Sequence, residues 1–312
     1  MTTRMVFERV RRGLARFEEV TLATAVPPAI EGRPDDYRLA PAKLIEDPEL
    51  RHRLVGVATP CPEPLAFLDG TQRTEVVGYV GPVPVVAAAI GAAVRRREAG
   101  HLTTVIRSTR RIMVSSREGL ALTAEAAPGF DLVALEDQGG EVRHPLKALE
   151  DAHRAVDRER SALERSVGAD FRAQCSDWLV VDGVISDAEH WARDPKVIGV
   201  SKSHATLPFD GTALTTYLTL PAGHRTSIFE PATWRFAAPH SWGLRLWPYE
   251  RRDLMHGLVR IEVAAGRASP EDADELSRWI LAERAPLSRP DPRWDRLLYG
   301  VATVERHLRA AQ

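Results

Sequence analysis

The chain has 312 residues, of which 44% are hydrophobic and 27% charged, and its formal net charge is −1. That balance belongs to a globular protein, with core enough for one large domain or two ordinary ones. It excludes a uniformly basic nucleic-acid coat and, since no apolar run reaches membrane-spanning length, a helical membrane protein; a local basic groove stays open. Residues 1–8 hold no apolar stretch of the kind a secretory leader needs. The cysteines, Cys61 and Cys175, make neither a metal-binding spacing nor a disulfide framework, so a reducing cytoplasm is the expected location.

In chain order, Val6, Val10, Leu14 and Phe17 recur at helical spacing and predict a helix over residues 6–22, with Arg11, Arg12 and Arg16 on its other faces. It reads either as a helix packed on the core or as a docking helix for a partner. Residues 24–64 are proline-rich, an irregular connector with room for a short helix over 41–47. Residues 1–64 are therefore expected to be a docking segment, and residues 65–312 the main domain.

From Leu65 the character turns to strand. Residues 65–69, 73–80 and 83–89 are β-like runs split by tight turns, which predicts an antiparallel meander. Residues 88–97 suit a helix as well. Arg95, Arg96, Arg97, Arg107, Arg110 and Arg111 form the most basic window, either a solvated face or a track for a phosphate backbone. Further strands are expected at 102–115 and 132–136. Residues 145–167 are the clearest helix, with Leu149, Ala152, Val156, Leu163 and Val167 as its stripe. Glu159 falls on that stripe by the helical period, while Glu164 lies beside it in i,i+4 reach of Arg160. A strand over 178–182 follows, then one at 197–200 leading into Ser201-Lys202-Ser203. Strands are expected near 226–237, 243–247 and 257–264. Ser269-Pro270-Glu271-Asp272 begins a helix that runs to about Glu283, with serine as N-cap and acids in the first turn. A final helix is expected over 294–311.

Two of the strands end alike: Leu65-Ala66-Phe67-Leu68-Asp69-Gly70 and Trp178-Leu179-Val180-Val181-Asp182-Gly183. Each Asp-Gly reads as a turn, or as a carboxylate held at the edge of the core. Two such carboxylates, with Glu159 from a crossing helix (or Glu164 as the alternative), suit Mg²⁺ or Mn²⁺, because hard cations prefer oxygen ligands. Such ions activate water and stabilise a leaving oxygen in phosphodiester hydrolysis. Tyr299 and His307 lie on roughly one side of the last helix, and His307 would ligate metal or donate a proton. Lys202 would bind the scissile phosphate or orient the attacking water. Strand Asp, helix Glu, strand Asp and a terminal-helix ligand is the order of the ribonuclease H-like fold. The expected class is therefore α/β: a ribonuclease H-like mixed sheet flanked by helices, with additional β and helical elaborations.

Phe67-Leu68-Asp69-Gly70-Thr71, Arg158-Glu159, the stretches 179–184 and 197–202, Val259-Arg260-Ile261-Glu262-Val263 and the Tyr299–His307 pair carry a resemblance to the NurA nuclease family. It spans residues 65–309. The resemblance implies a Mn²⁺-dependent DNA nuclease with 5′-to-3′ exonuclease and single-strand endonuclease activity. It implies a homodimer working with a hexameric HerA-type ATPase translocase, in DNA-end processing or antiviral defence. By motif, Asp69, a helix glutamate and Asp182 would hold metal, and Tyr299 and His307 would complete the site. The family's Asp-Gly-Ser reads Asp-Gly-Thr71 in the first motif, a mild change. It reads Asp-Gly-Val184 in the second, which removes a hydroxyl.

The competing reading is a catalytically silent module that caps a DNA translocase. Nucleotide enzymes are disfavoured because Gly78-Tyr79-Val80-Gly81-Pro82 lacks both G-x-G-x-x-G and a Gly-Lys-Ser/Thr. No G-x-S-x-G supports a serine hydrolase, and the scattered histidines lack H-E-x-x-H, against zinc.

Overall fold

The structure, a computed structural model, describes residues 3–18, 20–22, 38–98, 101–136, 144–249, 254–284 and 298–310. Its helices are α1 (Thr3–Leu14), α2 (Arg117–Thr123), α3 (Pro145–Gln174), α4 (Glu189–Ala192), α5 (Gly211–Leu218), α6 (Pro270–Glu283) and α7 (Tyr299–Ala310). Its strands are β1 (Val20–Leu22), β2 (Arg38–Leu39), β3 (Lys43–Leu44), β4 (His52–Leu54), β5 (Leu65–Val80), β6 (Val83–Glu98), β7 (His101–Ser115) and β8 (Asp131–Ala134). They continue with β9 (Trp178–Asp182), β10 (Val197–Ser201), β11 (Thr206–Leu207), β12 (His224–Thr226), β13 (Phe229–Glu230), β14 (Pro239–Arg245) and β15 (Leu258–Ala264).

Among the described residues, 13 strands join one sheet in the order β3-β13-β14-β15-β10-β9-β5-β6-β7-β8, with β1 on β5 and the β4–β12 pair on β14. The centre is parallel: β9 runs alongside both β5 and β10. The flanks are antiparallel, apart from the outermost β7–β8 pair. Alternation divides the side chains between two cores. Leu65, Phe67, Trp178, Val180 and Ile198 pack under α6 and α7. Ala66, Leu68, Leu179 and Val181 pack under α3.

The meander is longer than its sequence suggests. The expected strands at 65–69 and 73–80 are one strand, β5, and Asp69-Gly70 is no turn. Residues 88–97, open to a helical reading, continue β6 to Glu98. The alanines there are strand residues because both faces are covered: Ala88 and Ala92 lie under α3, while Ala87 and Ala89 lie under α1. Side chains this small let helices approach the sheet closely. The helix expected over 6–22 stops at Leu14, and Val20–Leu22 pairs with β5 instead. The helix considered over 41–47 is absent, since Lys43–Leu44 is a short strand on β13. The broad 226–237 strand resolves into β12 and β13. Residues 294–297 and 311 of the expected last helix lie outside the described residues.

The N-terminal segment is woven into the same body. Phe7, Val10 and Leu14 of α1 pack with Val77, Val85 and Met113 of the meander. β4 pairs with β12, and Glu46 receives the fully buried Arg225 guanidinium at 2.7 Å.

Candidate active site

The parallel register sets Leu68 against Val181, so the next residues, Asp69 and Asp182, come side by side. Asp69 follows Phe67 in the alternation and shares its face; Asp182 follows Val180 and shares the same one. There β9 ends, at Gly183 with φ 130°, a conformation glycine adopts without strain. β5 runs on past Asp69 without a partner on that side until Gly78 meets Leu22 of β1. The ended strand leaves a notch in the sheet beside the two aspartates.

Glu164 enters from α3, on the opposite face. It lies against Gly70, where any Cβ would overlap its carboxylate, so glycine is what admits the glutamate to the notch. The carboxylates feel one another. Burial, then the charge of Asp182, pushes the Asp69 carboxyl well above its ordinary range; Glu164 adds to this, and Lys202 and the Gly70 N–H oppose it. Burial likewise pushes Glu164 up to about 7, with Arg160 opposing and Asp182 adding. Lys202 Nζ donates to Asp182 Oδ2 at 2.8 Å, Arg160 pairs with Glu164, and the Gly70 N–H donates to Asp69 Oδ1 at 2.8 Å.

Asp69 and Glu164, whose ionisation burial opposes, together with Asp182 offer oxygen donors chemically suited to a divalent cation. They are not drawn together as ready ligands, for among the described residues no group of three His, Cys, Asp or Glu side chains is placed to hold a metal. Asp182 and Glu164 instead face cations of the chain itself.

The remaining expected site residues are placed differently. Glu159, favoured by periodicity, is not at the notch: it accepts from Arg110 at 3.0 Å, over β7. Tyr299 opens α7 beside Gly300, which lies flat against the Phe67 ring, near Asp69 along the strand. His307 sits further along α7, at 3.3 Å from Thr104 of β7. That is two strand spacings from β5, ~10 Å. Burial, then Arg95 and Arg107, lowers its pKa.

The basic window is largely engaged within the fold. Arg95 donates to the carbonyls of Thr303 and Leu102. Arg96 pairs with Glu98 and Asp177, Arg97 with Glu283, and Arg110 with Asp131 and Glu159. Arg107 and Arg111 are exposed.

A further residue supports the notch. Glu262 is 1% exposed and takes the Ile185 N–H at 3.1 Å and Arg260 at 3.0 Å, fixing the loop that leaves Asp182. Its signal was alternation: Val259, Ile261 and Val263 face the α6–α7 core, which turns Glu262 and Arg260 to the other side.

A mixed sheet whose parallel centre sets two strand aspartates together, with a glutamate from a long crossing helix beside them, is the ribonuclease H-like architecture. Among solved structures, the chain is similar to the NurA nuclease from Sulfolobus solfataricus, with a TM-score of 0.51 and 9% identity over 83% of this chain and 81% of that one. It aligns more loosely with the catalytic domain of human endonuclease V, at a TM-score of 0.34 and 16% identity over 80% of this chain and 83% of that one. No protein-family model and no curated protein matches the sequence. The likeness to NurA read from short motifs is thus matched by a likeness of fold over 83% of the chain. No helix is long and apolar enough to cross a membrane among the described residues.

Proposed function

We propose that the chain is a metal-dependent DNA nuclease, a phosphodiester hydrolase. The observation that carries this is the placement of Asp69 beside Asp182 where β9 ends, with Glu164 against Gly70 and Lys202 paired with Asp182. The shared fold with a nuclease supports it.

Asp69, Asp182 and Glu164 would hold Mn²⁺ or Mg²⁺, which when bound supplies an activated water and stabilises the leaving oxygen. Asp69, buried and rigid in mid-strand, fixes the position of the site. Lys202 exchanges its pairing with Asp182 for the scissile phosphate as substrate enters, which places positive charge where negative charge develops. Glu262 holds the Asp182 loop in register. Tyr299, at the exposed end of α7, completes the site from the Phe67 face. His307 is assigned to the Arg95–Arg107 cluster rather than to the metal.

By likeness to NurA, the substrate is DNA cut from 5′ to 3′ and within single strands. The working assembly is a homodimer fed by a HerA-type hexameric ATPase, in DNA-end processing or antiviral defence. Asp69→Asn and Asp182→Asn are expected to abolish cleavage of end-labelled single-stranded DNA in Mn²⁺ while leaving the fold intact. The loss should exceed the roughly 10–100-fold that removal of an outer partner brings. A wild-type protein that cuts nothing in Mn²⁺ or Mg²⁺, with the translocase present, would refute the proposal.

The second reading, a silent adaptor that caps a translocase, is favoured by one observation: Lys202 and Arg160 already occupy Asp182 and Glu164. Calorimetric titration with Mn²⁺ separates the two readings. An adaptor gives no heat that depends on Asp69.

A further inference from the structure

Outside the carboxylates, the loop between β13 and β14 carries two exposed aromatic side chains, Trp234 and Phe236. Trp234 stands 49% exposed there, on a segment of exposed residues that includes Thr233 and Arg235. A tryptophan that folding does not bury has lost the commonest reason for its presence. The ring borders a cleft of about 320 Å³ whose lining includes Ser186, Thr206, Thr233, Arg235 and Arg260, with Asp187 as the acid among them. Val184 and Ser186 of that lining belong to the turn immediately after Asp182. Arg260 pairs across strands with Ser201, the residue before Lys202. The cleft is therefore built partly from the turn that leaves Asp182 and from the strand paired with the one that leads to Lys202.

Its charge suits a phosphate backbone. Arg260 is tied to Glu262 by one nitrogen, while its buried Nε has no hydrogen-bond partner. Arg235 is exposed and lines the cleft, with its guanidinium over the Phe236 ring. A second cleft, of about 580 Å³, is lined by Arg38, Lys202 and His204. The short β2–β11 pair, where Arg38 Nε donates to Thr206 Oγ1 at 3.3 Å, stands between the two clefts. Arginine thus lines both clefts, with Lys202 in the second and Trp234 in the first.

We propose that this cleft seats an unpaired nucleotide of single-stranded DNA next to the scissile phosphate, with the base stacked on Trp234 and the backbone held by Arg235 and Arg260. The inference rests on the nuclease reading and gives it a substrate path. An aromatic face with flanking cations binds bases without reading sequence, and it requires a base released from its duplex partner. The strand accordingly runs over the β13–β14 loop, and the Arg95–Arg111 window, most of which is engaged within the fold, is not its main track.

The test uses the full chain and a fluorescein-labelled oligo-dT, followed by anisotropy in EDTA and in Ca²⁺. Trp234→Ala is expected to weaken binding about tenfold or more. Trp234→Phe keeps most of the affinity, and Arg235→Ala lowers the salt dependence. A blunt duplex should show little dependence on Trp234. Trp234→Ala with wild-type affinity and an unchanged melting temperature overturns the cleft, as does wild-type protein that binds no oligonucleotide in either condition. Binding through Trp234 by a protein that cuts nothing in Mn²⁺ leaves the cleft standing and removes the nuclease. Cleavage by a protein whose Trp234→Ala variant binds normally removes the cleft alone.

Discussion

Asp69 is 8% exposed and has a second aspartate beside it, so each proton it releases leaves a charge short of water and of counter-ions. Glu164 is in the same position, with its pKa pushed up to about 7 from an unfolded value of 4.5. For an acid the sign follows directly. Between these two pH values the folded chain keeps a proton that the unfolded chain has lost, so stability falls as pH rises through the window and levels off above it. Asp69 shifts in the same direction and adds to the effect. Metal-free protein should therefore melt lower at pH 7.5 than at pH 5, and Mn²⁺ should raise the melting temperature more at pH 7.5, where the competing protons have gone. Scanning fluorimetry across that range checks it. Glu164→Gln should flatten the metal-free pH profile. The Asp69 and Asp182 positions were legible in the sequence because each ends an apolar run with a charge. Gly70 was misread: Asp-Gly is a strong turn signal, and nothing local reveals that a helix glutamate needs the missing side chain.

At the scale of the element, the choice of glutamate depends on how α3 crosses the sheet. Periodicity alone put Glu159 inward, and it does face the sheet, but over β7, where Arg110 meets it. Five residues on, ~7.5 Å along the axis, Glu164 reaches β5 and the notch. A helical stripe tells which side of a helix is buried; which strand lies beneath each turn is set by the crossing angle, which the sequence of the helix does not encode. The length of β5 was hidden for a related reason. Its middle, Thr71-Gln72-Arg73-Thr74-Glu75, is polar like a turn because it lies past the end of β9, while the pairing with β6 continues unbroken through it. The two glutamates should thus separate cleanly on mutation. Glu159→Gln removes a partly exposed pair worth about 0–1 kcal/mol and should leave cleavage unchanged. Glu164→Gln should abolish cleavage with little loss of secondary structure. Parallel cleavage assays and circular dichroism on the two variants check it, and equal losses of activity would return Glu159 to the site.

At the scale of the whole molecule, the described residues before the expected boundary at residue 64 pack into the same sheet and cores as those after it. Strands from residues 38–54 close the β12–β13 edge, and α1 covers the meander from below. The tie between the two ends is electrostatic. Arg225, fully buried, donates to both oxygens of Glu46, at 2.7 and 3.1 Å, and pairs with Asp274 of α6; Glu46 also takes the Ile228 N–H at 2.9 Å. Proline spacing cannot reveal such a tie, because the partners are 179 residues apart in sequence. Removing one member of a buried pair strands the other without water, which typically costs about 3–5 kcal/mol. Asp274 remains to Arg225, so Glu46→Ala should fall near the lower end. Since Glu46 joins the proline-rich segment to the strands that carry the site-bearing sheet, the loss should appear as a downward shift of one cooperative transition. Calorimetry tests this directly. If the wild-type chain unfolds with equal calorimetric and van't Hoff enthalpies, and Glu46→Ala lowers its melting temperature without splitting the peak, residues 38–54 and the main domain are one folding unit. A split peak, with the lower part alone moved by Glu46→Ala, would mean that the N-terminal segment docks on a sheet stable without it.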